Sequence, residues 1–236
     1  MPLGVRLAAS IALCAGVLLL AEQSGAGRGK GQASAARTVR VDARAQSAAA
    51  QPSALVAGLS ALDRRALLAG ETVARPMRFR QGRGQYVGGV AYQLVAAPPL
   101  EVMTALLTVP ELPRILPRTK RARLIDARAG QARVELVQGN SLIEASYTIV
   151  LEHDAGGDSI RFWLDSSRPH DILDVWGYFR AEPFGASRTL VTVAVALDVG
   201  DGLVRLLFED RIQRVILSAP RQIRDYLEPR VLASAR

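Results

Sequence analysis

The sequence predicts an α+β fold, a curved antiparallel β-sheet wrapped around a long C-terminal α-helix. Two observations carry that expectation. Between Arg121 and Leu197 apolar residues return at every second position, the period of a strand whose side chains alternate between two faces. Between Leu203 and Leu227 they return at helical spacing. A sheet with one apolar face needs a cover, and only this terminal segment is long enough to supply it.

The chain opens with features of export. Arg6 precedes an uncharged run, LAASIALCAGVLLLA from Leu7 to Ala21, and Ser24, Gly25 and Ala26 supply small residues at cleavage spacing. Residues 1–26 are therefore expected to be a secretory signal peptide, with an N-terminal membrane anchor as the alternative. The run is shorter than the about 20 residues of a spanning helix. Leu13 before Cys14, and the apolar run beyond it, argue against lipid attachment. Cleavage after Ala26 would remove the one cysteine, which is compatible with an oxidising compartment. The expected location is periplasmic or extracellular, or the inner membrane if the segment is retained. Residues 27–52 are rich in Ala, Gly, Gln, Ser and Arg and read as a flexible tether.

The formal charge is +8, and only Lys30 and Lys120 among the basic residues are lysine. RTKRAR, Arg118 to Arg123, is the one tight basic cluster. A nucleic-acid reader pairs a basic stripe with a reading motif, and no such motif is present, so no nucleic-acid partner is expected. The cluster reads as a solvated strand entry, with weak attraction to an anionic membrane surface as the second reading.

Residues 53–85 are expected to hold a short helix and a linker. Ser60 can cap the helix with Asp63 at its third position. Leu62, Ala66 and Ala69 share a face that Leu59 and Leu67 broaden, and Gly70 can end the helix. The main domain is expected over 86–230. YVGGVAYQLVA, from Tyr86, is a strand in which Gly88 and Gly89 mark a bend or bulge. Pro98 and Pro99 suit a first helical turn, and Leu100, Met103 and Leu107 repeat after them. The prolines of VPELPRILP allow only a short turn around Glu111 to Leu116, a compact apolar bend placed like a lid.

About six strands follow. They run over Arg121–Asp126, Ala132–Val137 and Ile143–Leu151, then over Ile160–Leu164, Leu173–Phe179 and Thr189–Leu197. Ile143, Ala145, Tyr147, Ile149 and Leu151 share one face, and HDAGGD marks a hairpin turn. Asp201 can cap the terminal helix. Its apolar face is assigned to Leu203, Leu206, Leu207, Ile212, Val215, Ile216, Ala219, Ile223 and Leu227. Arg205 belongs to the polar remainder, and Pro220 must kink or split the helix.

This order, with the segments PPLEVMTALLTVPELPRILP, ASYTIVLEHD, WGYFRAEPFG and LSAPRQIRDYLE, resembles the SRPBCC or START-like superfamily over roughly Tyr86 to Glu228. Within it the chain is similar to the polyketide cyclase/dehydrase group and to coenzyme Q-binding and ribosome-association-toxin relatives. The resemblance implies a helix-grip fold with a cavity under the last helix. Members of the superfamily hold lipids, sterols, quinones, polyketides or plant hormones there, and some are cyclases. The shared segments are apolar and structural, so they specify the fold better than the ligand.

An apolar small molecule is the expected partner. Ile212, Val215, Ile216 and Ala219 occupy the middle of the helix face. Tyr147, Phe162 and Phe179 are the aromatic candidates opposite, and Met103 and Leu116 can close the mouth. The same residues could instead pack as a filled core. Gly177 permits a close approach of helix or backbone. Catalytic candidates are sparse: His170 stands beside Asp171 with Asp174 nearby, and such a trio could move a proton if the fold brought it together. His153 abuts the hairpin turn. There is no HExxH stretch or Cys–His cluster for a metal, no GxSxG elbow, no GxGxxG and no phosphate-binding loop. A monomeric carrier without metal or cofactor is the expectation, with a polyketide cyclase or aromatase, or a protein-interaction module with a filled core, as alternatives.

Overall fold

The computed structural model describes residues 58–234 apart from 142 and 155. The expected signal peptide at 1–26, the tether at 27–52 and the start of the 53–85 segment lie outside the described residues. A single sheet dominates, with its strands in the order β1-β2-β8-β7-β6-β5-β4-β3, every neighbouring pair antiparallel. The strands are β1 (Val73–Gln81), β2 (Gly84–Val95), β3 (Thr119–Arg128), β4 (Gln131–Gly139), β5 (Glu144–His153), β6 (Ser159–Leu164), β7 (Asp174–Phe184) and β8 (Arg188–Asp198). Helix α1 (Ala61–Leu68) precedes the sheet. Helix α2 (Pro99–Leu107), a 3₁₀ turn (Val109–Glu111) and α3 (Leu112–Ile115) lie between β2 and β3, and α4 (Leu203–Ile216) and α5 (Ala219–Ser234) end the chain.

Helix α1 starts and stops by local chemistry. The Asp63 amide donates to Ser60 Oγ at 3.0 Å and the Ser60 amide donates to Asp63 Oδ2 at 2.9 Å, a reciprocal cap. These bonds, the backbone one first, hold the Asp63 carboxyl below the usual carboxylate range. At the other end Gly70 takes φ 84, and Glu71 N donates to Ala66 O at 2.9 Å, satisfying a terminal carbonyl. The buried face differs from the expected one. Leu59 and Leu67 pack with Tyr92, Leu94 and Leu190, whereas Leu62 is 76% exposed. Leu94 and Leu190 are register partners on β2 and β8. Alternation therefore places this small cluster on the opposite side of those strands from Val95, Val191 and Val193, which join the main core.

The segment read as linker contains a strand. β1 pairs with β2 in continuous register from Val73↔Tyr92 to Gln81↔Gly84. Its residues, VARPMRFRQ, are mostly exposed on both faces, so no alternation betrays them. Pro76, which lacks a ladder donor, argues against a central strand but is tolerated in an outermost one. β2 has no bulge: both of its pairings run unbroken through Gly88 and Gly89. A Cβ at Gly88 would lie 1.9 Å from Val195 O, so a side chain there is excluded.

The terminal helix is split. Leu217 and Ser218 separate α4 from α5, and Pro220 sits in the first turn of α5, where its missing N–H leaves no helical bond unmade. Asp201 does not cap α4: its carboxylate accepts from Gln85 Nε2 at 3.1 Å, and Gly202 occupies the cap position without a side-chain bond. Leu206 and Leu207 are exposed, contrary to the expected apolar face. Arg205, expected in the polar remainder, is instead largely buried against Asp198 at 2.8 Å. Leu173 also lies exposed, one residue before β7.

Candidate ligand-binding cavity

Strand alternation builds the floor of a hollow. Tyr147, Ile149 and Leu151 on β5, Ile160 and Phe162 on β6, and Val175 and Phe179 on β7 all project to one side. Val193, Val195 and Leu197 on β8 and Leu136 on β4 extend the same surface. Leu106, Leu112 and Leu116 close one side, and Ile216 and Ala219 close the top. The inner chamber so enclosed holds about 80 Å³. Gly177 has a definite role in its floor. A Cβ there would meet Ala194 O at 2.1 Å and Phe162 Cζ at 2.6 Å, so glycine lets the Phe162 ring lie flat over β7. That ring packs against Phe179 with centroids 5.2 Å apart.

An outer chamber of about 220 Å³ continues from it. Pro117, Gln138, Tyr147, Leu197 and Ile216 border both spaces. Farther out the walls are Phe208, Ile212 and Val215 on α4 and Ile143 and Ala145 on the β5 side, with Arg118, Arg211, Glu144 and Asp171 adding charge.

One polar pair stands at the junction. The Tyr147 hydroxyl donates to Gln138 Oε1, and Gln138 Nε2 donates to Thr119 Oγ1 at 2.7 Å and to Pro117 O at 3.4 Å. Burial pushes the Tyr147 phenol well above its ordinary range. It therefore stays a protonated donor at any physiological pH.

Of the residues expected around a ligand, Leu116, Tyr147, Phe162, Phe179, Ile216 and Ala219 line the inner chamber, and Ile212 and Val215 line the outer one. Met103 does not reach either wall; it is buried in the core on α2. Gln138 was not anticipated. The signal for it lay in the alternation Val134, Leu136, Gln138 on β4, which carries a polar group into an apolar face.

The trio His170, Asp171 and Asp174 does not converge. His170 is exposed, with Nδ1 2.7 Å from Ile172 O. Asp171 Oδ2 accepts from Ser146 N at 2.8 Å, pinning the β6–β7 loop to β5. Asp174 Oδ2 accepts from the Tyr86 hydroxyl at 2.7 Å. Burial first, and this bond second, push the Tyr86 phenol up to about 12. His153 is half-buried, and its ring passes 3.9 Å from where a Gly157 Cβ would lie. Among the described residues no group of three or more His, Cys, Asp or Glu side chains is placed to hold a metal.

No family model matches this sequence, and no curated protein does. Solved structures do match. Protein TTHA0849 of Thermus thermophilus superposes with a TM-score of 0.53 at 18% identity, over 62% of this chain and 98% of its own. A STAR-related lipid transfer protein from Xanthomonas axonopodis gives 0.53 at 13% identity, over 64% of this chain and 98% of the solved fragment. At such identities the likeness is one of fold, and the chain has the START-like, helix-grip fold.

Proposed function

We propose that this protein binds and carries an apolar small molecule, of lipid, quinone or polyketide-like class, between the sheet and the C-terminal helices, and catalyses no reaction on it. The two-chambered hollow carries the reading. Together its chambers reach the low end of the about 300–1,000 Å³ of small-molecule sites, with apolar walls and one polar pair. Each square ångström of ligand removed from water contributes roughly 25 cal/mol, and micromolar affinity needs only about 8 kcal/mol. The name of the Xanthomonas neighbour, a lipid transfer protein, supports the ligand class.

A carrier is favoured over a cyclase by the titratable content of the inner chamber. A cyclase needs a group that takes a proton from its substrate. In the inner chamber the only titratable lining residue is Tyr147, whose proton is held by burial and directed at Gln138.

Ile216→Trp tests the reading, because Ile216 borders both chambers. The indole should fill the hollow, leave the melting temperature near that of the parent, and abolish uptake of a fluorescent fatty-acid or quinone probe. A filled core would instead lose about 1–3 kcal/mol to overpacking, and the parent itself would take up no probe. Mass spectrometry of an organic extract of the native protein identifies the cargo. Export belongs to the same proposal. N-terminal sequencing of the mature protein should begin near Gly27, and intact Met1 in a soluble cytoplasmic fraction would overturn it.

A further inference from the structure

We infer that the carried molecule is an amphiphile with an anionic head, received at the mouth of the hollow by Arg118, Arg211, Arg214 and Arg221. The inference rests on the carrier reading and deepens it. Arg118 follows α3, Arg211 and Arg214 stand on α4, and Arg221 lies in the first turn of α5. All four border one surface depression, together with Pro117, Val215, Ser218 and Gln222. Pro117, Arg118, Arg211 and Val215 also border the outer chamber, so the depression adjoins it.

The four arginines are exposed, and they are not taken up in ion pairs among the described residues. Other arginines of the same helices are paired, Arg205 with Asp198 and Glu209 and Arg224 with Asp225. No carboxylate lines the depression. The two that line the outer chamber are already engaged, Glu144 by Lys120 and Asp171 by the Ser146 amide. Like charges gathered around one opening repel, and a bound anion removes that repulsion.

Backbone conformation supplies an independent observation. Arg118 has φ 56 and is the only described non-glycine residue with positive φ. At nine other described positions with positive φ the chain places glycine. The left-handed conformation costs an L-residue about 1–2 kcal/mol, a cost glycine would not bear. The Arg118 carbonyl accepts from Gly139 N at 2.9 Å, an interaction that needs no side chain. Stability alone does not account for arginine here; a side chain aimed at the mouth does.

Polarity from the inner chamber out to the depression runs in the order of an amphiphile entering tail first. The innermost walls are apolar, the Tyr147–Gln138 pair stands midway, and the cations stand outermost. A carboxylate, phosphate or sulfate on an alkyl chain has this pattern, whether it comes as a free molecule or as a lipid drawn from a membrane.

The test compares cis-parinaric acid with its methyl ester, which have the same tail and differ in head charge. At low salt the parent should bind the acid about tenfold more tightly, a difference of about 1.4 kcal/mol, and salt should erode that preference. Arg118→Gly, and the pair Arg211→Gln with Arg214→Gln, should bring the acid-to-ester ratio close to one while affinity for the ester stays within about twofold. Arg118→Gly should melt no lower than the parent. Equal parental affinities for acid and ester would overturn the inference and leave the carrier reading standing. Failure of the folded parent to bind either probe would overturn both. Sedimentation with phosphatidylglycerol vesicles separates the remaining source of the same chemistry. If Arg118→Gly lost vesicle binding while its acid-to-ester ratio stayed at the parental value, the arginines would serve a membrane surface, and the head-group assignment would be wrong.

Discussion

The two C-terminal helices cover the same sheet but differ in how deeply their apolar residues sink into it. α5 places Ala219, Ile223 and Leu227 within the main core, Ile223 with no exposed surface at all, and adds polar ties such as Gln222 Nε2 to Leu116 O at 3.2 Å and Ala96 N to Glu228 Oε1 at 3.0 Å. α4 is fastened by polar groups. Gln213, itself buried, donates to Met77 O at 2.9 Å and to Gly88 O at 2.8 Å. Arg205 donates to Asp198 Oδ1 at 2.8 Å and to Gln85 O, and Arg78 of β1 reaches Glu209 at 3.2 Å and Asp210. The apolar residues Ile212, Val215 and Ile216 of α4 stay half-buried on the wall of the hollow. Apolar contact is non-directional and closes whatever space it can, whereas hydrogen bonds fix a position at a distance. A helix held by hydrogen bonds can therefore keep an apolar surface from closing onto the sheet.

That contrast can be broken in graded steps. Asp198→Ala should have the largest effect, about 3–5 kcal/mol in denaturant unfolding, because it leaves the amides of Gln85 and Gly200 without their acceptor and removes one of the two carboxylates paired with the Arg205 guanidinium. Ile223→Ala on α5 should lower stability by about 2–5 kcal/mol through a cavity that the core cannot close. Gln213→Ala should cost about 1–3 kcal/mol by stripping the Gly88 and Met77 carbonyls, the first of them buried, of this donor. Hydrogen exchange should then accelerate in α4 and β1 before α5, and simultaneous loss of protection in both helices would show that they are not separately attached. Val215→Ala should have the smallest effect, about 1 kcal/mol or less, because it enlarges an existing space and creates none. A loss as large as that of Ile223→Ala would mean that the α4 face is ordinary core.

Legibility from sequence followed the same division. β5, β6 and β8 announced themselves through alternation, because one face of each packs on the core, and the α1 cap was readable since Ser60 and Asp63 act on their own backbone. The Pro220 break was readable for the same local reason. β1 was not, because a strand exposed on both faces has no apolar period. Nor was the tie of Arg205 to Asp198, or of Gln213 to Met77 and Gly88: those partners are distant in the chain and meet only after the sheet has formed. The aromatic and aliphatic walls of the cavity could be named from parity, but Met103 was misplaced because helical spacing does not say which side of α2 meets the core and which meets the hollow.

Among the described residues the sheet is open, and β1 and β3 are its two outermost strands. An unprotected edge is a template on which a second copy can add its own strand, the first step toward cross-β stacking. Here β1 carries Arg75, Pro76, Arg78 and Arg80, and β3 carries Lys120, Arg121, Arg123 and Arg128. Both borders thus carry long basic side chains, Arg75, Arg78, Lys120 and Arg123 of them ion-paired within the fold, and one border lacks a donor at its proline. Long charged side chains and a proline on an edge strand disfavour pairing with a second strand. The basic cluster after Arg118 thereby has the character of gatekeeper residues at the border of a broad apolar sheet.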